Sequence, residues 1–162
     1  MKVVVSDTNI FIDLISIDLL DSFFKLPIDI HTVDYVINEL NISQQEMLKQ
    51  YNLTIKEYSS SEQSLIVEFH LQSKGNVSFP DCSVWKYAKD NGYTLLTGDK
   101  SLRAQATADG LSVSGILFVF DMIVESGILS KKEAAYKLQQ LIQINNRLPK
   151  KEIEYRITEW SR

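Results

Sequence analysis

Short β-branched or apolar runs alternate with helical patterns along nearly the whole chain. This alternation limits the fold more than any other feature of the sequence. KVVVSD (2–7) opens it, a β-branched run ending in a turn-prone acid. Residues 8–26 then carry Ile10, Leu14, Ile17, Leu20 and Phe24 at helical spacing and stop at Pro27. Further strands are expected at 29–33, 53–58, 93–99 and 111–115. Helices are expected at 34–41, from 42 onward with a Ser43/Glu46 capping box, and at 59–74, 80–92, 100–110, 116–126, 130–146 and 150–160. Such an order implies an α/β domain on a parallel sheet. With 162 residues the chain suits one domain, 1–162, whose part from about 130 onward reads as a helical extension.

Two of these strands end in carboxylates. Asp7 follows Val3–Val5, and Asp99 follows Leu95 and Leu96 in LLTGD. In open α/β sheets the functional crevice lies outside the carboxyl ends of the strands, which is where both acids fall. Asp81 begins a helix just after Pro80. Glu39, in VINEL, lies near the helix face marked by Val36 and Leu40. Two carboxylates about 4 Å apart repel by roughly 4 kcal/mol at an effective dielectric of 20, so a cluster of them persists only by sharing protons or binding a cation. Oxygen-only ligands select Mg²⁺ or Mn²⁺. Each acid also has an ordinary structural reading. Asp7 and Asp81 suit helix caps, Asp99 suits a turn, and Glu39 suits a solvated helix face.

Composition narrows the chemistry. The single cysteine, Cys82, excludes an intramolecular disulfide and a cysteine zinc site, and His31 and His70 are far apart. Both histidines read as incidental, and Trp85 and Tyr87 as core or surface packing and not a base-stacking platform. The longest apolar stretch, residues 115–124, is too short to span a bilayer and contains Asp121. No leader pattern precedes the first strand, so a cytoplasmic location and no membrane partner are expected. The formal charge of -4 disfavours a nucleic-acid binder at first sight. Four carboxylates gathered in one metal-binding pocket would account for the whole excess, so net charge neither excludes nor supports a nucleic-acid substrate.

The ordered set VVVSDTNIFIDL, VINEL, FPDCSVWKYAKDNGYTLLTGDKSLRAQATADGLSVSG and the C-terminal ILSKKEAAYKLQQLIQINNRLPKKEIEYRI resembles the PIN-domain ribonucleases, including the VapC-like toxins of bacterial toxin–antitoxin pairs. The resemblance implies a five-stranded parallel sheet of order 3-2-1-4-5 flanked by helices. It implies a pocket in which Asp7, Glu39, Asp81 and Asp99 hold one or two Mg²⁺ or Mn²⁺ ions and hydrolyse RNA. Thr97 matches the hydroxyl of the family's T-x-D, and Asn9 a polar position beyond the first acid. Lys100 and Arg103, with Lys86 and Lys89, are candidates for substrate phosphates. A cognate antitoxin and a homo-oligomer, a dimer, are the implied protein partners. The N-terminal helices and the basic segment 147–156 are candidate docking surfaces, the latter also reading as a solvated helical tail.

Other classes remain open on the residues alone. One is a stand-alone RNA-processing nuclease, and another a PIN-like domain that only binds. A haloacid-dehalogenase-like phosphotransferase also begins with a strand-end acid, but needs a second acid where this chain has Asn9. A phospho-receiver domain would use Asp7, Thr97 and Lys100, but lacks the expected acid pair. No dinucleotide or P-loop glycine motif occurs.

Overall fold

The computed structural model describes residues 1–162. Five strands, β1 (Lys2–Ser6), β2 (Ile28–Val33), β3 (Thr54–Lys56), β4 (Thr94–Leu96) and β5 (Val113–Ser114), form one sheet in the order 3-2-1-4-5. Every pairing is parallel. β1 is central, and its Val4 and Val5 are fully buried beside Leu95 and Leu96 of β4. A strand covered on both faces reads as a continuous apolar run, as β1 does.

Ten helices surround the sheet. They are α1 (Thr8–Ser16), α2 (Leu20–Phe24), α3 (Asp34–Glu39), α4 (Ile42–Leu48), α5 (Ser60–Gln72), α6 (Phe79–Asn91), α7 (Lys100–Ala108), α8 (Ile116–Glu125), α9 (Lys131–Ile144) and α10 (Lys150–Trp160). α6 packs across β1, β2 and β4 with α5 against it, while α8 touches both α2 and α9. α6 starts at Ser78, which forms a capping box with Asp81, and ends at Gly92 in the left-handed region (φ 68°).

The helix expected over 8–26 is two helices. Asp18 adopts φ 54°, the Asp18 amide donates to the Ile15 carbonyl and the Leu19 amide to the Leu14 carbonyl. This is a Schellman ending with aspartate at the position usually held by glycine, so the sequence gives no glycine signal there. The capping box before α4 is formed by Asn41 and Gln44, and not by Ser43 and Glu46. Glu46 instead pairs with Lys49. β3, β4 and β5 are shorter than the sequence suggests, with three, three and two residues, while β2 begins one residue earlier.

The last two helices are not a solvated tail. α10 packs on α9, Ile153 is buried, and the Arg156 guanidinium grips both oxygens of Asp121 at 2.7 Å. Lys137 of α9 donates to the Ile17 carbonyl, which the end of α1 leaves free. No helix is long and apolar enough to cross a membrane.

Candidate active site

The register of β1 and β4 builds the centre. Ser6 lies beside Leu96, so the next residue on each strand, Asp7 and Thr97, emerges side by side at the carboxyl edge. The Asp7 amide donates to the Leu96 carbonyl at 3.1 Å. Thr97 is fully buried, and its hydroxyl donates a short hydrogen bond to Asp7 Oδ2. The same hydroxyl oxygen accepts the Asp99 amide at 3.1 Å. One threonine therefore orients one acid by its side chain and the next by its backbone.

Each acid doubles as a structural anchor. Asp7 Oδ1 accepts the Ile10 amide and caps α1. Asp99 Oδ1 accepts the Leu102 amide and caps α7. Asp81 Oδ2 accepts the Ser78 amide within its capping box. Glu39, at the end of α3, receives the Thr8 hydroxyl on Oε1 at 2.5 Å. Capping and site-building are thus compatible readings of the same residues. Asp81 Oδ1, Asp99 Oδ2 and Glu39 Oε2 take part in no hydrogen bond, so each of these acids has one oxygen fixed and one left over.

The electrostatics couple the four acids. Asp7 is 3% exposed, and burial pushes its carboxyl up to about 7 despite the bonds from Thr97 and Ile10. The charges of Asp81 and Asp99 push in the same direction. Burial likewise raises Asp81, with Asp99 and Glu39 adding repulsion against the Ser78 bonds. None of the ion pairs of the protein includes any of the four. Uncompensated oxygen donors of this kind suit a hard divalent cation. In donor chemistry the set fits Mg²⁺ or Mn²⁺. As the side chains now stand, no three acidic, histidine or cysteine groups are close enough to hold an ion, so binding would have to draw them together.

The remaining candidates separate. Asn9 and Lys100 line a groove beside Asp99. Arg103 runs the other way and donates to the Thr97 carbonyl at 3.2 Å. A Cβ at Gly115 would come within 2.6 Å of that guanidinium, so glycine keeps the path open. Lys86 and Lys89 pair with Asp90 and Asp109. His31 bonds Tyr87 and Asp29, His70 bonds the Val77 carbonyl, and buried Trp85 bonds Asp109. Thr8, Asp13 and Asn145 near this edge carried no sequence signal, because their partners lie 31 and 132 residues away.

No curated protein is matched. Among solved structures, a PilT N-terminus domain protein from the archaeon Sulfolobus solfataricus P2 is 13% identical, covering 76% of this chain and 94% of that one at a TM-score of 0.50. A domain of a functionally unknown protein from Methanocaldococcus jannaschii is 20% identical, over 71% of this chain and 91% of that one, at 0.49. VapBC2 from Rickettsia felis, bound to a DNA fragment from their promoter, is 15% identical over 70% and 98%, at 0.48. At 13% identity the likeness to the PilT N-terminus domain protein is one of fold alone. The family model described as PIN domain (DUF3368) matches residues 3–162, from the central strand to the last helix. With the acids carried by β1, β4, α3 and α6 inside that span, the chain belongs to the PIN domain family.

Proposed function

We propose that the chain is a metal-dependent ribonuclease that hydrolyses RNA phosphodiester bonds with one or two Mg²⁺ or Mn²⁺ ions. One observation supports the reading: four acids that join no ion pair sit on elements leaving the carboxyl edge of the sheet in a PIN domain, electrostatically coupled to one another, three of them with a free oxygen. Asp7, Asp81, Asp99 and Glu39 would hold the cation. When bound, such an ion stabilises charge on the phosphate oxygens and lowers the pKa of a water it holds. The protein's own part is positional. Thr97 fixes the Asp7 carboxylate and the start of α7 together, so that the two strand ends move as one unit. Asp7 would hold the cation as its deprotonated carboxylate, and Asp81, Asp99 and Glu39 would offer further oxygen ligands from separate elements.

The test is Asp99→Asn, which keeps the Oδ1 acceptor for the Leu102 amide and removes the charge. Mn²⁺-dependent cleavage of single-stranded RNA by the purified variant should fall by at least about 10²-fold with an unchanged circular dichroism spectrum. Cleavage at the parental rate, with host nuclease excluded, would remove Asp99 from the site.

For its setting we infer the toxin of a type II toxin–antitoxin pair, on the resemblance of the motif set to VapC-like toxins. An antitoxin segment placing an arginine among the unpaired acids would satisfy them bidentately. Expression alone should arrest growth, and co-expression with a neighbouring gene product should relieve it through a stable complex. Healthy growth with an active nuclease would favour a stand-alone processing enzyme.

A further inference from the structure

Beside Asp99 the surface opens into a groove of about 770 Å³. One wall is the start of α7, with Lys100 and Ser101, and the other is the α9–α10 loop, with Asn145, Asn146 and Arg147. Asn9, two residues past Asp7, lies between. Most of the lining residues are polar and none is aromatic, while Ile10, Ile12, Ile116, Ile144 and Leu148 add apolar surface. Lys100 and Arg147 are exposed, and neither forms an ion pair. The Lys100 and Ser101 amides, in the first turn of α7, have no partner within the helix and add positive potential at the same wall.

The far wall is held in place from below. Asp13, six residues after Asp7 on α1 and only 9% exposed, accepts the Asn145 Nδ2 amide on both carboxylate oxygens, at 3.3 and 3.1 Å. Asn145 Oδ1 in turn accepts the Arg147 amide at 3.0 Å. A buried acid is therefore spent on fixing a surface loop, and the loop carries an unpaired guanidinium to the edge of the acidic site. A solvated connector between two helices would need no such anchor.

We propose that this groove seats the single-stranded RNA next to the cleaved bond, with Lys100 and Arg147 taking its phosphates and Asp13, through Asn145, positioning the loop. The inference rests on the ribonuclease reading and names how that site holds its substrate. Without aromatic rings for stacking, base recognition falls to the amides of Asn9, Asn76 and Asn146 and to packing on Ile144, whose side chain is 58% exposed. Arg147 is a binding residue, and Asp13 and Asn145 are positioning residues.

The experiment uses a labelled RNA oligonucleotide of about twelve nucleotides. Binding is followed by anisotropy on the Asp99→Asn protein over a range of salt, and cleavage by the otherwise native protein in Mn²⁺. Arg147→Ala should weaken binding about tenfold and lower the slope of log affinity against log salt by about 0.7. In cleavage it should raise KM by a similar factor and leave kcat unchanged. Asn145→Ala should raise KM in the same way, and the exchange Asp13→Asn with Asn145→Asp, which restores a donor facing an acceptor, should recover it. Arg162→Ala, at the exposed C-terminus, should change none of these. If the parent cleaves RNA while Arg147→Ala and Asn145→Ala keep its KM, affinity and salt slope, the groove inference is overturned and the nuclease reading stands. If RNA binds with this dependence on Arg147 and the native protein cleaves nothing, the nuclease reading fails and the groove remains. A parent that neither binds nor cleaves RNA overturns both.

Discussion

Asp7 is a buried acid that the fold tolerates at a cost. In the absence of metal its carboxyl keeps a proton up to about pH 7, whereas the unfolded chain releases it near 3.8. Between those values the unfolded state binds fewer protons, so stability falls as pH rises through the window and levels off above about 7. Three units correspond to an upper limit of about 4 kcal/mol, part of which an amide would forfeit through weaker hydrogen bonds. Asp7→Asn should therefore raise the melting temperature of the metal-free protein at pH 8 by roughly 3–10 °C, with the gain vanishing near pH 4. Calorimetry in chelator at the two pH values checks this, and the same variant should lose Mn²⁺-dependent cleavage. Thr97 is the complementary case. Thr97→Val removes the hydroxyl from Asp7 and the acceptor from the Asp99 amide, and should cost about 1–3 kcal/mol in urea unfolding together with most of the activity. Thr97→Ser should retain both.

Among the elements, the join between α1 and α2 decides where the first acid's helix stops. Asp18 holds a left-handed conformation that glycine adopts without strain. Asp18→Gly should stabilise by up to about 1 kcal/mol, read as a rise of roughly 2–4 °C in melting temperature. A fall would mean that the aspartate side chain itself supports the turn. The α6 start shows the opposite economy, with one residue serving twice. Asp81 closes the Ser78 capping box with Oδ2 and leaves Oδ1 without a hydrogen bond. Asp81→Asn keeps the geometry of the box, so its expected loss is in metal affinity more than in melting temperature. Titration with Mn²⁺ beside a melting curve separates the two.

At the scale of the molecule, the last two helices belong to the body that carries the site. Ala134, Leu138 and Leu141 of α9 are buried, Lys137 closes the end of α1, and Asn145 meets Asp13 on the same helix. Leu138→Ala should cost about 2–5 kcal/mol, a large share of the stability of a domain this size, with the midpoint of urea unfolding shifting accordingly. A shift near zero would show α9 to be detachable. Because α1 begins at Asp7, loosening α9 should also soften the acidic edge. Cleavage should then fall at temperatures where the variant is still folded.

The strand–helix alternation, the parallel sheet and the acids at the strand ends were legible in the chain because their causes are local. Side-chain periods of 2 and 3.6, a proline at a helix start and a glycine after a helix act on neighbours in sequence. Thr97 and Asn9 entered through the resemblance of the T-x-D and first-acid motifs, which already encode distant partners. The Asp18 break was hidden because aspartate replaced the expected glycine. The bond from Thr97 to Asp7, the raised pKa of Asp7, the bond from Arg103 back to the Thr97 carbonyl and the Asp13–Asn145 anchor were decided by the tertiary structure alone. Each depends on which elements meet and how much water is left between them, and a hydrogen bond across 90 or 132 residues leaves no periodic trace in the sequence.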